Sequence, residues 1–324
     1  MKKRQFQITN SIISLFILFL ASFVAHPLIA DTTTESASPF TFEFSPSFGV
    51  LTGTVSEYLY EEDETLQSQL DWQQYAVPYI KAEETISAYN AFLSVSVLSA
   101  IPFYCGIMED YDWLADDYVD GSSNTLSCYS CHDLYLDKRF DLSANAGYTF
   151  NFNKFSIAPG FGITYRSQKW TGSDGYKQYD EEDYTWDEDI EKIYLTGTVI
   201  TYEQNELLPS IFVQAVYKIN NKVTTSLKST LYPYLYVYDV DNHLLTSTQY
   251  IDIMSGGIGA SLEATISYNK IALNINYEYL SVTDGSVYST STGTSDESDA
   301  TYYTSTSTAG TSSSLLSISI SYKF

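Results

Sequence analysis

Leu316-Ser317-Ile318-Ser319-Ile320-Ser321-Tyr322-Lys323-Phe324 ends the chain with a strict two-residue period. In an extended strand successive side chains point to opposite faces, so Leu316, Ile318, Ile320, Tyr322 and Phe324 share one face and the serines and Lys323 the other. The same period runs through Phe140, Leu142, Ala144, Ala146, Tyr148 and Phe150, and again from Leu273 to Tyr279. A soluble sandwich would bury the apolar face, whereas a transmembrane barrel turns it to lipid and turns the polar face to the lumen. Thirty tyrosines favour the barrel, because aromatic girdles mark both membrane interfaces.

Export is written at the other end. Met1-Lys2-Lys3-Arg4, an apolar run from Ile12 to Val24 and the small-residue exit Leu28-Ile29-Ala30 read as a secretory signal peptide over 1–30, leaving 31–324 as one barrel domain. The run is too short for a confident spanning helix, and no later segment has about 18 uninterrupted apolar residues. The predicted fold is therefore all-β, a ten-stranded antiparallel transmembrane β-barrel with long extracellular loops. Its strands are expected at about 45–60, 67–88, 90–104, 137–151, 154–171, 193–219, 222–240, 247–269, 271–286 and 312–324. Short turns near Tyr89-Asn90, Asn153, Asn220-Asn221 and Asn269-Lys270 read as periplasmic. The long connections near 105–136, 172–192 and 287–311 read as extracellular.

Charge narrows the partners. Lys2, Lys3 and Arg4 are the only charged residues of 1–30, so removing them from 16 Lys and Arg leaves 13 against 40 Asp and Glu, a formal charge of −27. Nucleic acid is not an expected partner. A negative rim steers cationic polypeptides, with an effect that weakens as salt rises.

Two acidic signatures fall at the outer rim on this strand parity. Asp110-Tyr111-Asp112-Trp113 is expected in the second outer loop, and Asp239-Val240-Asp241-Asn242-His243 at the outer end of the seventh strand. The i, i+2 spacing puts each set of carboxylates on one face, the second with an imidazole beside them, and two such faces could hold a water between them. One difficulty lies in the seventh strand. Val223 and Leu227 read as lipid-facing, and strict alternation from them would turn Asp239, Asp241 and His243 outward. A bulge near Pro233 is predicted to reset the phase, with Tyr232, Tyr234, Tyr236 and Tyr238 taking over the outward face.

These segments resemble the omptins, a family of outer-membrane aspartyl-type endopeptidases built as ten-stranded barrels, and the resemblance spans most of the mature chain. Asp110 to Trp113 is similar to the family's Asp-x-Asp-Trp segment and Asp239 to His243 to its Asp-x-Asp-x-His segment. Gly49-Val50-Leu51-Thr52-Gly53 with Glu57 and Tyr60, Ser68-Gln69-Leu70-Asp71-Trp72, and Tyr202-x-Gln204 with Pro209 and Tyr217 extend the match. The resemblance implies that Asp241 and His243 form a dyad facing Asp110 and Asp112, with water as the nucleophile. It also implies that Glu57 and Asp239 floor a pocket for Arg or Lys, with Met108 lining it. Ser130-Cys131-His132 resembles a supporting Ser-x-His segment placed in the second outer loop. Outer-membrane lipid and basic polypeptides are the implied partners, the implied location is the bacterial outer membrane with the site facing outside, and a monomer is expected. Omptins hold lipopolysaccharide with basic residues on the barrel wall. Here the fifth strand offers Arg166 and Lys169 out of matching register, which leaves lipopolysaccharide dependence open; no other cofactor is expected.

A barrel adhering to host proteins through acidic loops without proteolysis, and a transport barrel with an open lumen, both fit the composition. Cys128-Tyr129-Ser130-Cys131-His132 spells the c-type haem attachment pattern, but no second axial ligand is evident and haem is not expected. Three cysteines in an oxidising compartment suggest one disulfide, Cys105 with Cys128 or Cys131, or the close pair itself. Zinc on two cysteines and His132 would leave His243 uninvolved, so no metal site is expected. Asp180-Glu181-Glu182-Asp183 with Asp187, Glu188 and Asp189 reads as a solvated face, and the Ser/Thr-rich stretch from Ser289 to Ser314 as a mobile outer loop.

Overall fold

The structure, a computed structural model, describes residues 40–114, 125–179, 185–291 and 302–324. The predicted signal peptide, the acidic run 180–183 and residues 292–301 of the Ser/Thr-rich stretch lie outside them. Ten strands form the wall: β1 (Phe40–Tyr60), β2 (Leu66–Ala88), β3 (Ala91–Ala100 and Phe103–Asp112), β4 (Cys128–Tyr148) and β5 (Phe155–Tyr179), followed by β6 (Thr198–Lys218), β7 (Val223–Tyr232 and Leu235–His243), β8 (Thr248–Gly256 and Ile258–Tyr268), β9 (Ile271–Ser291) and β10 (Tyr303–Tyr322). Two short pieces, Phe150–Phe152 and Ile193–Tyr194, pair with β5. Every neighbouring pair is antiparallel, and β10 pairs back onto β1 with Val50 opposite Ile318 and Glu57 opposite Thr311. The wall thus closes into a transmembrane β-barrel and, among the described residues, leaves no edge strand to template aggregation.

The tight turns fall where Asn-rich sequence allows them. Tyr89, Asn90, Asn153 and Asn269 adopt positive φ, between 50° and 71°, the left-handed region that Asn tolerates better than most side chains. Around the middle of the wall Ile80, Leu93, Phe161, Ile211, Ile266 and Ile318 point outward and are exposed, while Ser94, Ser96 and Ser210 point inward. That is the lipid-facing band predicted from the alternation.

Above this band the strands run further than expected. β3 continues to Asp112, β4 begins at Cys128, β5 reaches Tyr179, and β10 starts at Tyr303, so Asp110, Asp112 and Ser130 to His132 sit on strands rather than in a loop. The Ser/Thr-rich stretch likewise contributes strand up to Ser291 and from Tyr303 onward. Wall that stands clear of lipid is wetted on its outer face, so polar residues occupy both faces and the sequence loses the alternation that marks a strand.

The predicted bulge is present at Pro233. Leu231 opposes Ile211 and Tyr236 opposes Leu207, so five steps along β7 match four along β6. Inward positions change from Thr230 and Tyr232 below the break to Leu235, Val237, Asp239 and Asp241 above it. Tyr234 and Tyr236 do face outward, but Tyr232 does not. It lies below the phase change and donates a hydrogen bond from its hydroxyl to Glu278 Oε2 at 3.0 Å.

Two layers fill the interior beneath the rim. The lower one is charged: Arg166 on β5 donates to Asp141 Oδ2 of β4 at 3.2 Å, Glu206 Oε2 of β6 at 3.1 Å and, across the lumen, Glu278 Oε1 of β9 at 2.7 Å. Arg166 therefore belongs to the lumen and not to the lipid-facing wall. These crosslinks oppose the open-lumen transport reading. The upper layer is apolar and includes Leu70, Trp72, Met108, Leu134, Leu136, Trp170 and Tyr202. Trp72 stacks on Tyr202 at 5.3 Å and on Trp170 at 6.0 Å, contacts worth about 0.5–1.5 kcal/mol each beyond the area they bury. The groove above thus rests on a packed, largely apolar floor.

Candidate active site

Asp110 and Asp112 lie two residues apart on β3, opposite Leu70 and Ser68 of β2 on one side and Ser130 and Cys128 of β4 on the other. Asp239, Asp241 and His243 lie on the upper segment of β7, opposite Gln204, Tyr202 and Ile200 of β6 and Asp252, Tyr250 and Thr248 of β8. Both sets occupy inward positions at the long-connection end of the barrel, and they face each other across the groove. His243 Nε2 meets Asp241 Oδ2 at 2.5 Å, and the Tyr250 ring packs edge-on to the imidazole at 5.3 Å. Asp241 is buried, whereas His243 keeps 31 % of its side chain exposed toward the groove. Asp110 Oδ1 and Asp241 Oδ1 are buried without a hydrogen-bond partner.

Electrostatics tie the two walls together. Burial disfavours the imidazolium, but Asp241, then Asp110 and Asp112, outweigh it and push His243 up to about 9. Burial raises Asp110 well above the usual carboxylate range, with Asp112 adding to the rise and His243 opposing it. Asp112 is also raised by burial, against the Ser68 hydroxyl and His243. Protons in such a cluster belong to the set rather than to one residue, and the groove can hold a proton on either wall. Because the folded value lies above the ordinary 6.5, the ion pair stabilises the rim fully below that value and the contribution is lost as pH rises through about 9. In NMR spectra of histidine-labelled protein the His243 ring is expected to titrate near 9, and Asp241→Asn to move that midpoint down by a unit or more. An unmoved midpoint would disprove the pairing.

A second cluster sits beside the dyad. Glu57 of β1, Asp239 of β7 and Asp252 of β8 are all buried, and Glu57 Oε2, Asp239 Oδ1 and Asp252 Oδ1 have no partner. The Tyr202 hydroxyl donates to Asp239 Oδ2 at 2.8 Å, and Gln204 Nε2 donates to Tyr202 Oη at 3.2 Å and to Thr311 Oγ1 at 3.1 Å. Met108 lies in the apolar layer beneath, on the same face of β3 as Asp110. Burial raises Glu57, followed by the charges of Asp241, Asp239, Asp252 and Asp110, so all these acids share one cavity of field. Asp252 went unremarked in the sequence because it stands alone among Ile251, Ile253 and Met254. A signal did exist: counting outward from the 244–247 turn places it directly opposite Asp239.

The remaining sequence motifs resolve differently. His132 is buried on β4, its Nδ1 at 2.6 Å from the Asp174 carbonyl and its Nε2 at 2.9 Å from Ser130 Oγ. With Nδ1–H donated to the carbonyl, Nε2 accepts from the serine, and burial holds the ring neutral. Both nitrogens are engaged by the wall itself. All three cysteines are free thiols, which corrects the expected disulfide. Cys128 and Cys131 are three apart on one strand and point to opposite faces, and Cys105 lies near Leu134 and Tyr135, about 20 Å along the ladder from Cys128. Cys131 in turn lies three residues, about 10 Å, along the same strand from the level of Cys105, so none of the three pairings is within reach of a sulfur–sulfur bond. Asp187, Glu188 and Asp189 are exposed, as a solvated face requires.

A family model described as Omptin family matches residues 38–324. Among solved structures, the outer-membrane protease OmpT from Escherichia coli superposes with a TM-score of 0.73 at 18% sequence identity, over 90% of this chain and 100% of that one. The translocator domain of the autotransporter NalP from Neisseria meningitidis aligns at 10% identity over 94% of this chain and 96% of its own, but its TM-score of 0.34 carries no argument. No curated protein matches.

Proposed function

This chain belongs to the omptin family, and from that premise we propose that it is an outer-membrane endopeptidase that cuts polypeptides at basic residues, with a water between the Asp241–His243 dyad and the Asp110–Asp112 pair as nucleophile. The observation that carries the reading is the imidazole held at 2.5 Å by a buried carboxylate and faced by an aspartate pair with a buried, unpartnered oxygen. In the arrangement that places the cluster's shared proton on the aspartate pair and leaves His243 neutral, Asp241 engages Nε2 and Nδ1 takes the water's proton as the water oxygen bonds to the scissile carbonyl carbon. The aspartate that retains a proton then donates to the carbonyl oxygen as it becomes an oxyanion. On collapse the carbon–nitrogen bond breaks, the aspartate takes its proton back as the carbonyl re-forms, and the imidazolium gives its proton to the departing amine. No side chain bonds to the substrate, so no acyl-enzyme accumulates.

Glu57 and Asp239 hold the basic side chain before the scissile bond, above the floor to which Met108 contributes. Buried carboxylates reward a charge-assisted partner and penalise its absence, which supports Arg or Lys over neutral residues. In this reading the long-connection end faces out of the cell, where the acidic rim gathers cationic substrates, and the barrel works as a monomer in contact with outer-membrane lipid. Lys169 and Lys138 are outward neighbours on β5 and β4; Lys138 is already paired with Glu203 Oε1 at 3.0 Å, which leaves Lys169 as the cation of the two open to a lipid phosphate. The test is cleavage of a quenched fluorescent Arg-Arg peptide by refolded protein, with and without lipopolysaccharide and in H₂¹⁸O. Cleavage with one ¹⁸O in the new carboxylate is expected. No cleavage in either lipid condition sinks the proposal.

A further inference from the structure

We propose that Asp252 is a third carboxylate of the basic-residue pocket and that it makes the pocket selective for a guanidinium over an ammonium group. The inference deepens the reading of the groove as a substrate site and rests on it. Asp252 is 3 % exposed, points inward from β8, and stands directly across the ladder from Asp239, which is 0 % exposed. Its Oδ1 has no hydrogen-bond partner, and the same is true of Asp239 Oδ1 and Glu57 Oε2. A buried polar atom left unmade costs free energy, so three in one place mark a site built for a donor that arrives from outside.

The shape of the acceptor set identifies the donor. Two of the oxygens come from neighbouring strands, β7 and β8, and the third from β1, which is separated from β8 around the wall by β9 and β10. Tyr202 already occupies the other oxygen of Asp239, which fixes that carboxylate and leaves one lone acceptor on it. A guanidinium carries five N–H donors in a flat, rigid fork and can serve acceptors along two edges at once. An ammonium offers three donors from a single point and gives up its water less readily, a disadvantage in a pocket this buried.

The charge balance agrees. Burial, then Asp241, pushes Asp252 up to about 7, and Glu57 and Asp239 are also raised, the latter against the Tyr202 hydroxyl. Without a cation the pocket carries fewer than three charges. One arriving guanidinium lets the carboxylates ionise around it.

The experiment measures binding and turnover separately on the refolded full barrel. Affinities of n-butylguanidinium and n-butylammonium are read by calorimetry for wild type, Asp252→Asn and Asp252→Ser, and gel heat-modifiability reports folding. The two substitutions guard against a folding defect in either one. In parallel, peptides differing only by Arg or Lys before the scissile bond are compared. Loss of Asp252 is expected to weaken n-butylguanidinium roughly tenfold or more and n-butylammonium less. It should also raise KM for the Arg peptide with kcat nearly kept, so that the Arg/Lys ratio falls. Wild type that binds neither probe, or variants whose affinities and Arg/Lys ratio stay within twofold, would overturn the assignment. If wild type cuts no peptide but its guanidinium affinity depends on Asp252, the peptidase reading fails and the pocket assignment stands.

Discussion

Replacing His243 by alanine is expected to lower kcat on an Arg-Arg peptide about a thousandfold or more while the barrel stays folded and KM changes little. The expectation follows from where the ring sits. The His243 ring is hydrogen-bonded to Asp241, keeps about a third of its side chain open to the groove, and ends the upper segment of β7, whose ladders to β6 and β8 do not depend on its side chain. Removing it takes away the group that accepts the water's proton but leaves Glu57 and Asp239 to bind the basic residue. The loss should therefore appear in kcat. Asp110→Asn should also lose activity while keeping the dyad's 2.5 Å contact, because the amide cannot exchange a proton with the oxyanion. Cleavage by His243→Ala within tenfold of wild type would remove the imidazole from the mechanism and with it the proposed role of Asp241.

How far this site could be read without coordinates depends on what each residue faces. Leu316 to Phe324 were legible because lipid on one side and lumen on the other force a period of two. The bulge at Pro233 was legible for the opposite reason. Only a phase change could bring Asp239 and Asp241 inward from a strand that begins with Val223 outward, and a residue without an N–H is a natural place for it. The direction of Tyr232 was not legible, because the sequence does not say on which side of Pro233 the extra residue lies. The rim was misread as loop because a wall wetted outside and lined with acids and aromatics inside has no apolar period to announce it. The register across the β7–β8 turn, which sets Asp252 against Asp239, becomes visible only once the turn is known to occupy 244–247. The disulfide failed on geometry. Cysteine count and compartment allowed it, but strand direction put the sulfurs on opposite faces or far apart.

Arg166→Met should cost the barrel about 3–5 kcal/mol, the penalty for breaking a buried charge network by removing one partner, seen as a lower urea midpoint for unfolding from detergent or vesicles. Arg166 is 3 % exposed and donates to three carboxylates on three different strands, so its loss strands Glu206 and Glu278 in the lumen and leaves Asp141 with its bond to Arg139. Arg139 cannot replace it, since it reaches Asp141 Oδ2 at 3.1 Å but has no bond to Glu206 or Glu278. Lysine should rescue poorly, because a single ammonium cannot span the acceptors that the guanidinium fork joins across the lumen. Adding Asp141→Asn, Glu206→Gln and Glu278→Gln to Arg166→Met should recover much of the loss, since exchanging a whole buried ion network for neutral groups is often close to neutral. If Arg166→Met alone left the midpoint unchanged, water in the lumen would already be screening these charges. The crosslinks could then no longer be what closes the barrel to ions, and bilayer conductance of wild type would become the deciding measurement. The apolar layer around Trp72, Trp170 and Tyr202 lies between this network and the groove, so Arg166→Met is expected to lower stability far more than it lowers kcat.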